Sequence, residues 1–252
     1  MYYEEFGINN KKTIIFIHGA MWPRSFCRQE VLSDKYHTIF FQMNGHGKEY
    51  DHRFEREEII NGIVDFIKKN KLKKPHLAGF SLGTQIVMLI ADKYPDLIDK
   101  VALISPLTDA TNLDIAKIKF TMVTLAKIVK IAPFLKVAAK VLKIEETCKL
   151  DFEEEMKNQK VEELAEDIMK ERLNLEDLTN LGNIKNEFYL AVGAKDLDCF
   201  IETGKKLKKI LINSVLVIYE KCGHNIPVVK YKKMNSDLRM FFSDKKINNI
   251  KT

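Results

Sequence analysis

The chain has 252 residues, of which 46% are hydrophobic and 30% charged, a composition that excludes a disordered or collagen-like protein. This length is sufficient for one domain with a large core and one insertion, and short for two full domains. The formal net charge is +6, but only six of the 41 basic residues are Arg. Because base recognition relies on the bidentate Arg fork, we expect no nucleic-acid partner.

The cysteines and the amino-terminal residues give an expectation about compartment. No basic start followed by an apolar run and a small-residue cleavage site is found at the amino terminus. The four cysteines, Cys27, Cys148, Cys199 and Cys222, are scattered without a C-x-x-C pair, which fits neither a disulfide framework nor a zinc site. We therefore expect reduced thiols and a cytoplasmic location.

Short apolar runs alternate with amphipathic stretches, the pattern of a mostly parallel sheet flanked on both faces by helices. The predicted strands are Thr13–Ile17, Thr38–Gln42, His76–Phe80, Val101–Ile104, Phe188–Val192 and Val215–Tyr219. Their nearly continuous apolarity is typical of strands buried on both faces. The predicted helices are Glu55–Lys71, Leu82–Tyr94 and Tyr231–Phe242.

Residues 107–181 break this alternation, because they contain no convincing strand and have the pattern of consecutive helices. We assign 1–106 and 182–252 to an α/β core and 107–181 to an inserted helical cap. Within the cap, 115–144 carries seven Lys and no acidic residue, whereas 145–177 is rich in Asp and Glu. This charge pattern favours packing of the two halves against each other over the alternative, contact of a basic helix with a membrane surface.

The segment Gly79-Phe-Ser81-Leu-Gly83 matches G-x-S-x-G and lies directly between a predicted strand and a predicted helix. Glycine is needed on both sides of Ser81 because side chains there would collide with the neighbouring strand and helix. The helix N-terminus carries unsatisfied N–H groups and partial positive charge, which suit an oxyanion formed during acyl transfer. Ser81 is therefore the candidate nucleophile, and an incidental Ser in a tight turn is the alternative.

A serine hydroxyl needs a base to take its proton, and that base needs a carboxylate to orient it. Asp196 and His224 follow Ser81 in the chain, and each lies in a loop just after a predicted strand. Open α/β sheets build their sites at these carboxyl ends of strands. We take His224 as the base and Asp196 as the acid. Asp198 stays open as an alternative acid because only loop register separates it from Asp196.

In these motifs the chain resembles the α/β-hydrolase fold family over essentially its whole length. His18-Gly19, after the first buried strand, resembles the family's oxyanion-loop motif. The resemblance implies that the backbone N–H groups of Ala20 and Leu82 form the oxyanion hole. It also implies an eight-stranded sheet with a helical cap inserted after the sixth strand.

Further residues near these motifs agree with the family pattern or depart from it. Gly45-His-Gly47 resembles the family's G-H-G turn, although Asn44 stands where a proline is usual. Phe80, in the middle of the elbow, stands where many members carry His. Trp22 and Phe80 are the candidate substrate-binding residues, with core packing as the alternative for each.

Three histidines, His18, His46 and His52, could suggest a metal site. None of them shows the H-x-x-x-H spacing of a metal-binding helix, and the family's turns explain the first two. We therefore predict no metal and no cofactor.

The residues together predict a serine hydrolase of the EC 3.1.1 class that cleaves a carboxylic ester or related acyl bond of a small to medium apolar molecule. The alternatives are another reaction on the same site, such as carbon–carbon bond hydrolysis, thioester hydrolysis, aminopeptidase action or acyl transfer, or a binding protein without catalysis. The first half of the cap has more apolar side chains than one helix face can hide, among them Met122, Leu125 and Phe134. If these side chains line an acyl pocket, butyryl to octanoyl esters should be better substrates than acetyl esters. The oligomeric state is not predicted.

Overall fold

A seven-stranded sheet forms the centre of the protein in a computed structural model that describes residues 1–129, 158 and 160–244. Its strands are β1 Tyr3–Phe6, β2 Thr13–Ile17, β3 His37–Phe41, β4 His76–Phe80, β5 Val101–Ile104, β6 Phe188–Gly193 and β7 Ser214–Tyr219. They lie in the order β1-β3-β2-β4-β5-β6-β7. Every neighbouring pair is parallel except β1 and β3. The expected mostly parallel sheet is confirmed.

Helices cover both faces of this sheet. The helices are α1 Arg56–Lys69, α2 Leu82–Lys93, α3 Asn112–Val129, α4 Val161–Lys170, α5 Asp198–Ile210, α6 Ile226–Val229 and α7 Tyr231–Phe241. Alternate side chains of each strand enter two separate cores, because successive residues of a strand point to opposite faces. Ile15 packs with α1 and α2 on one face, and Ile14 packs with α7 and the 3₁₀ helix Cys27–Asp34 on the other.

Several features differ from the sequence expectation. Strand β1 was not predicted, because it alternates exposed and half-buried residues at the edge of the sheet. Helix α5 was also missed, although Phe200, Thr203 and Leu207 mark its buried face at helical spacing. The described residues contain seven strands rather than the eight that the resemblance implied, so the segment 107–181 follows the fifth strand and not the sixth.

The described part of 107–181 is helical and contains no strand. Helices α3 and α4 are joined by ion pairs between the Lys119 ammonium and the Glu166 carboxylate at 3.9 Å and between those of Lys127 and Glu162 at 3.4 Å. These pairs agree with the opposite charges expected for the two halves of the segment. Phe134 and Cys148 lie outside the described residues.

The helices were also compared with the dimensions of a bilayer. Within the residues that the structure describes, no helix combines the length and the apolarity needed to cross a membrane.

Candidate active site

Ser81 occupies the sharp turn between β4 and α2. Its backbone has φ 50° and ψ −114°, a combination that costs a non-glycine residue about 1–3 kcal/mol. The Ser81 N–H donates to the carbonyl oxygen of Ile104 at 2.8 Å, so the turn is anchored to β5. The surrounding strands therefore hold Ser81 in a strained conformation at the carboxyl end of the sheet.

The two glycines of the elbow are required by backbone proximity. A Cβ on Gly79 would lie 2.6 Å from the carbonyl oxygen of Gly83, and a Cβ on Gly83 would lie 2.6 Å from that of His18. Both distances are shorter than any non-bonded carbon–oxygen contact, and backbone atoms cannot rotate away. The close approach at Gly83 brings the start of α2 against the loop that follows β2.

A continuous chain of hydrogen bonds joins Ser81, His224 and Asp196. Ser81 Oγ lies 2.8 Å from His224 Nε2, and His224 Nδ1 lies 2.9 Å from Asp196 Oδ2. An ionised carboxylate only accepts hydrogen bonds, so Nδ1 donates to Asp196 and Nε2 is left to accept from the Ser81 hydroxyl. The tertiary structure thus brings the three residues together in the arrangement that a serine nucleophile requires.

The alternative acid, Asp198, lies elsewhere. It is exposed and begins α5, whereas the side chain of Asp196 is only 3% exposed. The backbone N–H of Leu197 donates to Asp196 Oδ1 at 2.8 Å and orients that carboxylate. The loops that carry Asp196 and His224 are tied together, because the Lys195 N–H donates to the carbonyl oxygen of Cys222 at 2.8 Å.

Two aromatic rings flank the imidazole of His224. The ring centroid of Phe200 lies 4.4 Å away and that of Phe80 lies 5.1 Å away. Phe80 is buried, and a Cβ on Gly19 would lie 2.7 Å from its ring. Phe80 thus packs behind the histidine and does not line the cavities beside Ser81, whereas Phe200 does.

The residues expected to form the oxyanion hole lie beside Ser81. Leu82 is the first residue of α2, so its N–H has no acceptor within the helix. Ala20 lies in a turn closed by a bridge between Gly19 and Trp22, in which Met21 takes the positive φ of 72°. Ala20, Leu82 and Ser81 all line one small cavity, so the two backbone segments converge on the serine.

His18 holds the peptide that carries the Ala20 N–H. The Met43 N–H donates to His18 Nε2 at 2.9 Å, so the proton of the neutral ring is on Nδ1, which donates to the carbonyl oxygen of Gly19 at 2.7 Å. That carbonyl and the Ala20 N–H belong to one peptide plane. Burial, with a smaller contribution from His46, holds the pKa of His18 well below its usual value, so the ring stays neutral.

His46 packs beside His18, with ring centroids 4.7 Å apart. Its Nδ1 lies 3.0 Å from the carbonyl oxygen of Asn44, and burial lowers its pKa to about 4. His52 is exposed and pairs with Glu49, with Nδ1 2.7 Å from the carboxylate. No group of three or more His, Cys, Asp or Glu residues suited to a metal ion is found in the described ranges.

Comparison with known proteins supports the assignment of fold. A family model described as the alpha/beta hydrolase fold matches residues 12–134. MenH from S. aureus superimposes with a TM-score of 0.73 at 20% identity, covering 96% of this chain and 97% of that one. A carboxylesterase structure from the thaumarchaeon Nitrososphaera gargenis gives a TM-score of 0.75 at 18% identity, covering 94% and 92%. The chain has the α/β-hydrolase fold.

Several similar sequences carry the names of alcohol or ethanol acetyltransferases. Ethanol acetyltransferase 1 of Hanseniaspora uvarum is 31% identical over 99 residues, which are 37% of this chain and 30% of that protein. The chain thus spans less than a third of the length of this relative.

The candidate site opens into a cavity of about 440 Å³, a size typical of small-molecule pockets. Trp22 lines it, as does Met122 of α3. The sequence analysis missed further lining residues, namely Ile118, Leu197, Phe200 and Val228. Leu197 and Phe200 could have been found from the helical spacing of α5, since that helix begins directly after the Asp196 loop.

Proposed function

We propose that this α/β-hydrolase is a serine hydrolase that cleaves the carboxylic ester bond of a small molecule through an acyl-enzyme. The observation that supports this most directly is the hydrogen-bond chain from Ser81 Oγ through His224 to the buried carboxylate of Asp196. The strained backbone at Ser81 supports it as well, because such strain persists where function requires it.

In the first half of the proposed reaction, Ser81 Oγ attacks the carbonyl carbon of the ester while His224 Nε2 takes the hydroxyl proton. The negative oxygen of the tetrahedral intermediate accepts hydrogen bonds from the N–H groups of Ala20 and Leu82. The bond between the carbonyl carbon and the alcohol oxygen then breaks, and His224 returns the proton to the departing alcohol.

In the second half, water attacks the acyl-enzyme and His224 takes its proton. The tetrahedral intermediate collapses, the carboxylic acid leaves, and the proton returns to Ser81 Oγ. Asp196 stays ionised throughout, holds the imidazole in one tautomer and stabilises its positive charge. These steps balance without a cofactor.

The direct test is covalent labelling of Ser81. A fluorophosphonate should add one phosphonyl group, which mass spectrometry of the intact protein and of its peptides would locate on Ser81. Ser81→Ala should take up no label and should lose at least about 10⁴-fold in kcat/KM toward p-nitrophenyl esters while keeping its circular dichroism spectrum. Wild-type turnover by the folded Ser81→Ala variant would contradict the proposal.

Acyl transfer to an alcohol is the second candidate, favoured by the similarity to a protein named ethanol acetyltransferase. The chemistry differs only in the second half, where an alcohol instead of water attacks the acyl-enzyme. The two candidates are separated by product analysis with an acetyl ester and millimolar ethanol. Acetate as the main product supports hydrolysis, and ethyl acetate as the main product supports transfer.

A further inference from the structure

Two cavities of unequal size meet at Ser81. The larger has a volume of about 440 Å³ and the smaller about 50 Å³. Both are lined by Ser81, Ala20 and Phe200, together with Ile118 and Met122 of α3. A substrate whose carbonyl carbon sits on Ser81 Oγ can therefore extend one group into each cavity.

The position of the base decides which group enters which cavity. His224 lines the larger cavity and not the smaller, and Asn225 and Val228, which follow it in the chain, do the same. In ester cleavage the alcohol oxygen takes its proton from His224 Nε2, so the alcohol must lie within hydrogen-bond reach of that nitrogen. The alcohol group therefore belongs in the larger cavity.

The smaller cavity is lined in part by residues that the larger one does not reach. Leu82, whose N–H is the proposed oxyanion donor, lines the smaller cavity and not the larger. The same is true of Leu107, Ile115, Ile168 and Leu173. Three substituents surround the carbonyl carbon of the tetrahedral intermediate besides Ser81 Oγ. With the oxyanion at Leu82 and Ala20 and the alcohol beside His224, the acyl chain is directed into this mostly apolar pocket, whose lining also includes Gln85 and Arg172.

Resting on the proposed function, we propose that the smaller cavity is the acyl pocket and that the substrate is an ester of a short acyl group with a larger apolar alcohol. The smaller cavity has about one ninth of the volume of the larger, so a short acyl group fits it better than an octanoyl chain does. Leu173 and Ile168, which line this cavity, are buried, with 2% and 7% of their surface exposed.

This assignment differs from the expectation drawn from the sequence, which placed the apolar side chains of the cap around the acyl chain. Leu125 lines only the larger cavity, and Met122 lines both. Growth in kcat/KM with chain length should therefore follow the alcohol. Each methylene buried there should raise kcat/KM about two- to four-fold, whereas lengthening the acyl group from acetyl to octanoyl should lower it.

The test uses a matched pair of Leu→Ala variants, one in each cavity. Leu173→Ala enlarges the smaller cavity alone, and Leu125→Ala enlarges the larger alone. Initial rates are measured on p-nitrophenyl acetate, butyrate and octanoate, which vary the acyl group, and on ethyl, butyl and octyl acetate, which vary the alcohol. Ile115→Ala, at a half-buried position lining only the smaller cavity, replaces Leu173→Ala if that variant does not fold.

The wild-type kcat/KM should be at least about ten-fold higher for p-nitrophenyl acetate than for the octanoate, because most of the octanoyl chain would stay outside the smaller cavity. Leu173→Ala should raise the ratio of kcat/KM for octanoate to kcat/KM for acetate about ten-fold. Leu125→Ala should leave that ratio unchanged. It should instead weaken the preference for octyl acetate over ethyl acetate. Octanoate as the best wild-type substrate, or acyl preference that responds to Leu125→Ala alone, would overturn the assignment. If no ester in the panel is turned over in a Ser81-dependent way, the proposed function fails and this inference with it.

Discussion

The elbow between β4 and α2 and the helix α3 that faces it across the cavity are constrained very differently. The Ser81 N–H is hydrogen-bonded to the carbonyl oxygen of Ile104, and neither Gly79 nor Gly83 has room for a single methyl group. Helix α3 instead leaves Leu113, Phe120 and Ile128 exposed, with Phe120 72% accessible to solvent. The backbone conformation of the elbow is tightly constrained, whereas the exposed positions of α3 can accept many different side chains.

The difference follows from what each region must do. A nucleophile must be placed to within a fraction of an ångström, and the sheet provides that precision through backbone hydrogen bonds and packed glycines. A pocket wall needs only apolar surface of the right shape, which several side chains can supply. In the proposed function, the reacting groups therefore lie at the strand ends, and α3 with the residues around it forms the wall that contacts the substrate.

The largest effect is expected from Asp196→Asn at a strand end. An amide cannot hold the His224 tautomer or stabilise the imidazolium, so kcat should fall about 10³-fold or more with little change in KM. Asp198→Asn is the matched control, because that carboxylate is exposed on α5, and its kcat should stay within about two-fold of wild type. A larger loss in Asp198→Asn than in Asp196→Asn would move the acid to Asp198.

The next largest effect is expected from adding one methyl group to the elbow. Gly83→Ala places a Cβ against the carbonyl oxygens of Ile17 and His18, and the unfolding free energy in urea should drop by about 3 kcal/mol or more. Gly182→Ala serves as the control, since a Cβ there meets nothing within 4 Å. Equal stability of the two variants would mean that the elbow is not as tightly constrained as the backbone distances indicate.

Low pH should destabilise the folded protein through His46, which packs beside His18. Its pKa is about 4 in the folded protein and 6.5 when unfolded. Above pH 6.5 neither state binds the proton, and as pH falls toward 4 the unfolded state binds it first, so stability is lost over that window. The loss should reach about 3 kcal/mol.

The measurement for His46 is urea unfolding at pH 7, 5.5 and 4. His46→Gln removes the titrating group, so its unfolding free energy should fall less steeply over this range than that of the wild type. Parallel pH profiles for the two proteins would show that His46 does not contribute.

The smallest effect is expected on the exposed face of α3. Phe120→Ala should change the unfolding free energy by no more than about 0.5 kcal/mol and leave kcat/KM for p-nitrophenyl acetate unchanged. Met122, two residues further on, lines both cavities and is 8% exposed. Met122→Ala should therefore lower the unfolding free energy by about 2 kcal/mol or more and alter KM. Similar results for both positions would remove the distinction between the two faces of α3.

Most of the sheet was predictable from the sequence because buried parallel strands are continuous apolar runs, and β2, β4 and β5 begin and end where predicted. Strand β1 was not predictable from its own residues, since its pairing with β3 at the sheet edge depends on a partner distant in sequence. The helical spacing of Phe200 and Leu207 indicates helix α5, but this stretch between two predicted strands was not predicted as a helix.

The sequence by itself determined the elbow motif and the chain order of Ser81, Asp196 and His224, because local turn chemistry and strand ends are written in short segments. Only the tertiary structure separated Asp196 from Asp198, since a shift of two residues moves a carboxylate from the buried side of a loop to the exposed start of a helix. The two cavities were likewise decided by the tertiary structure, because segments about 90 residues apart, such as those carrying Leu82 and Leu173, line one of them. Volume between distant segments depends on how the helices pack, and no local pattern encodes it.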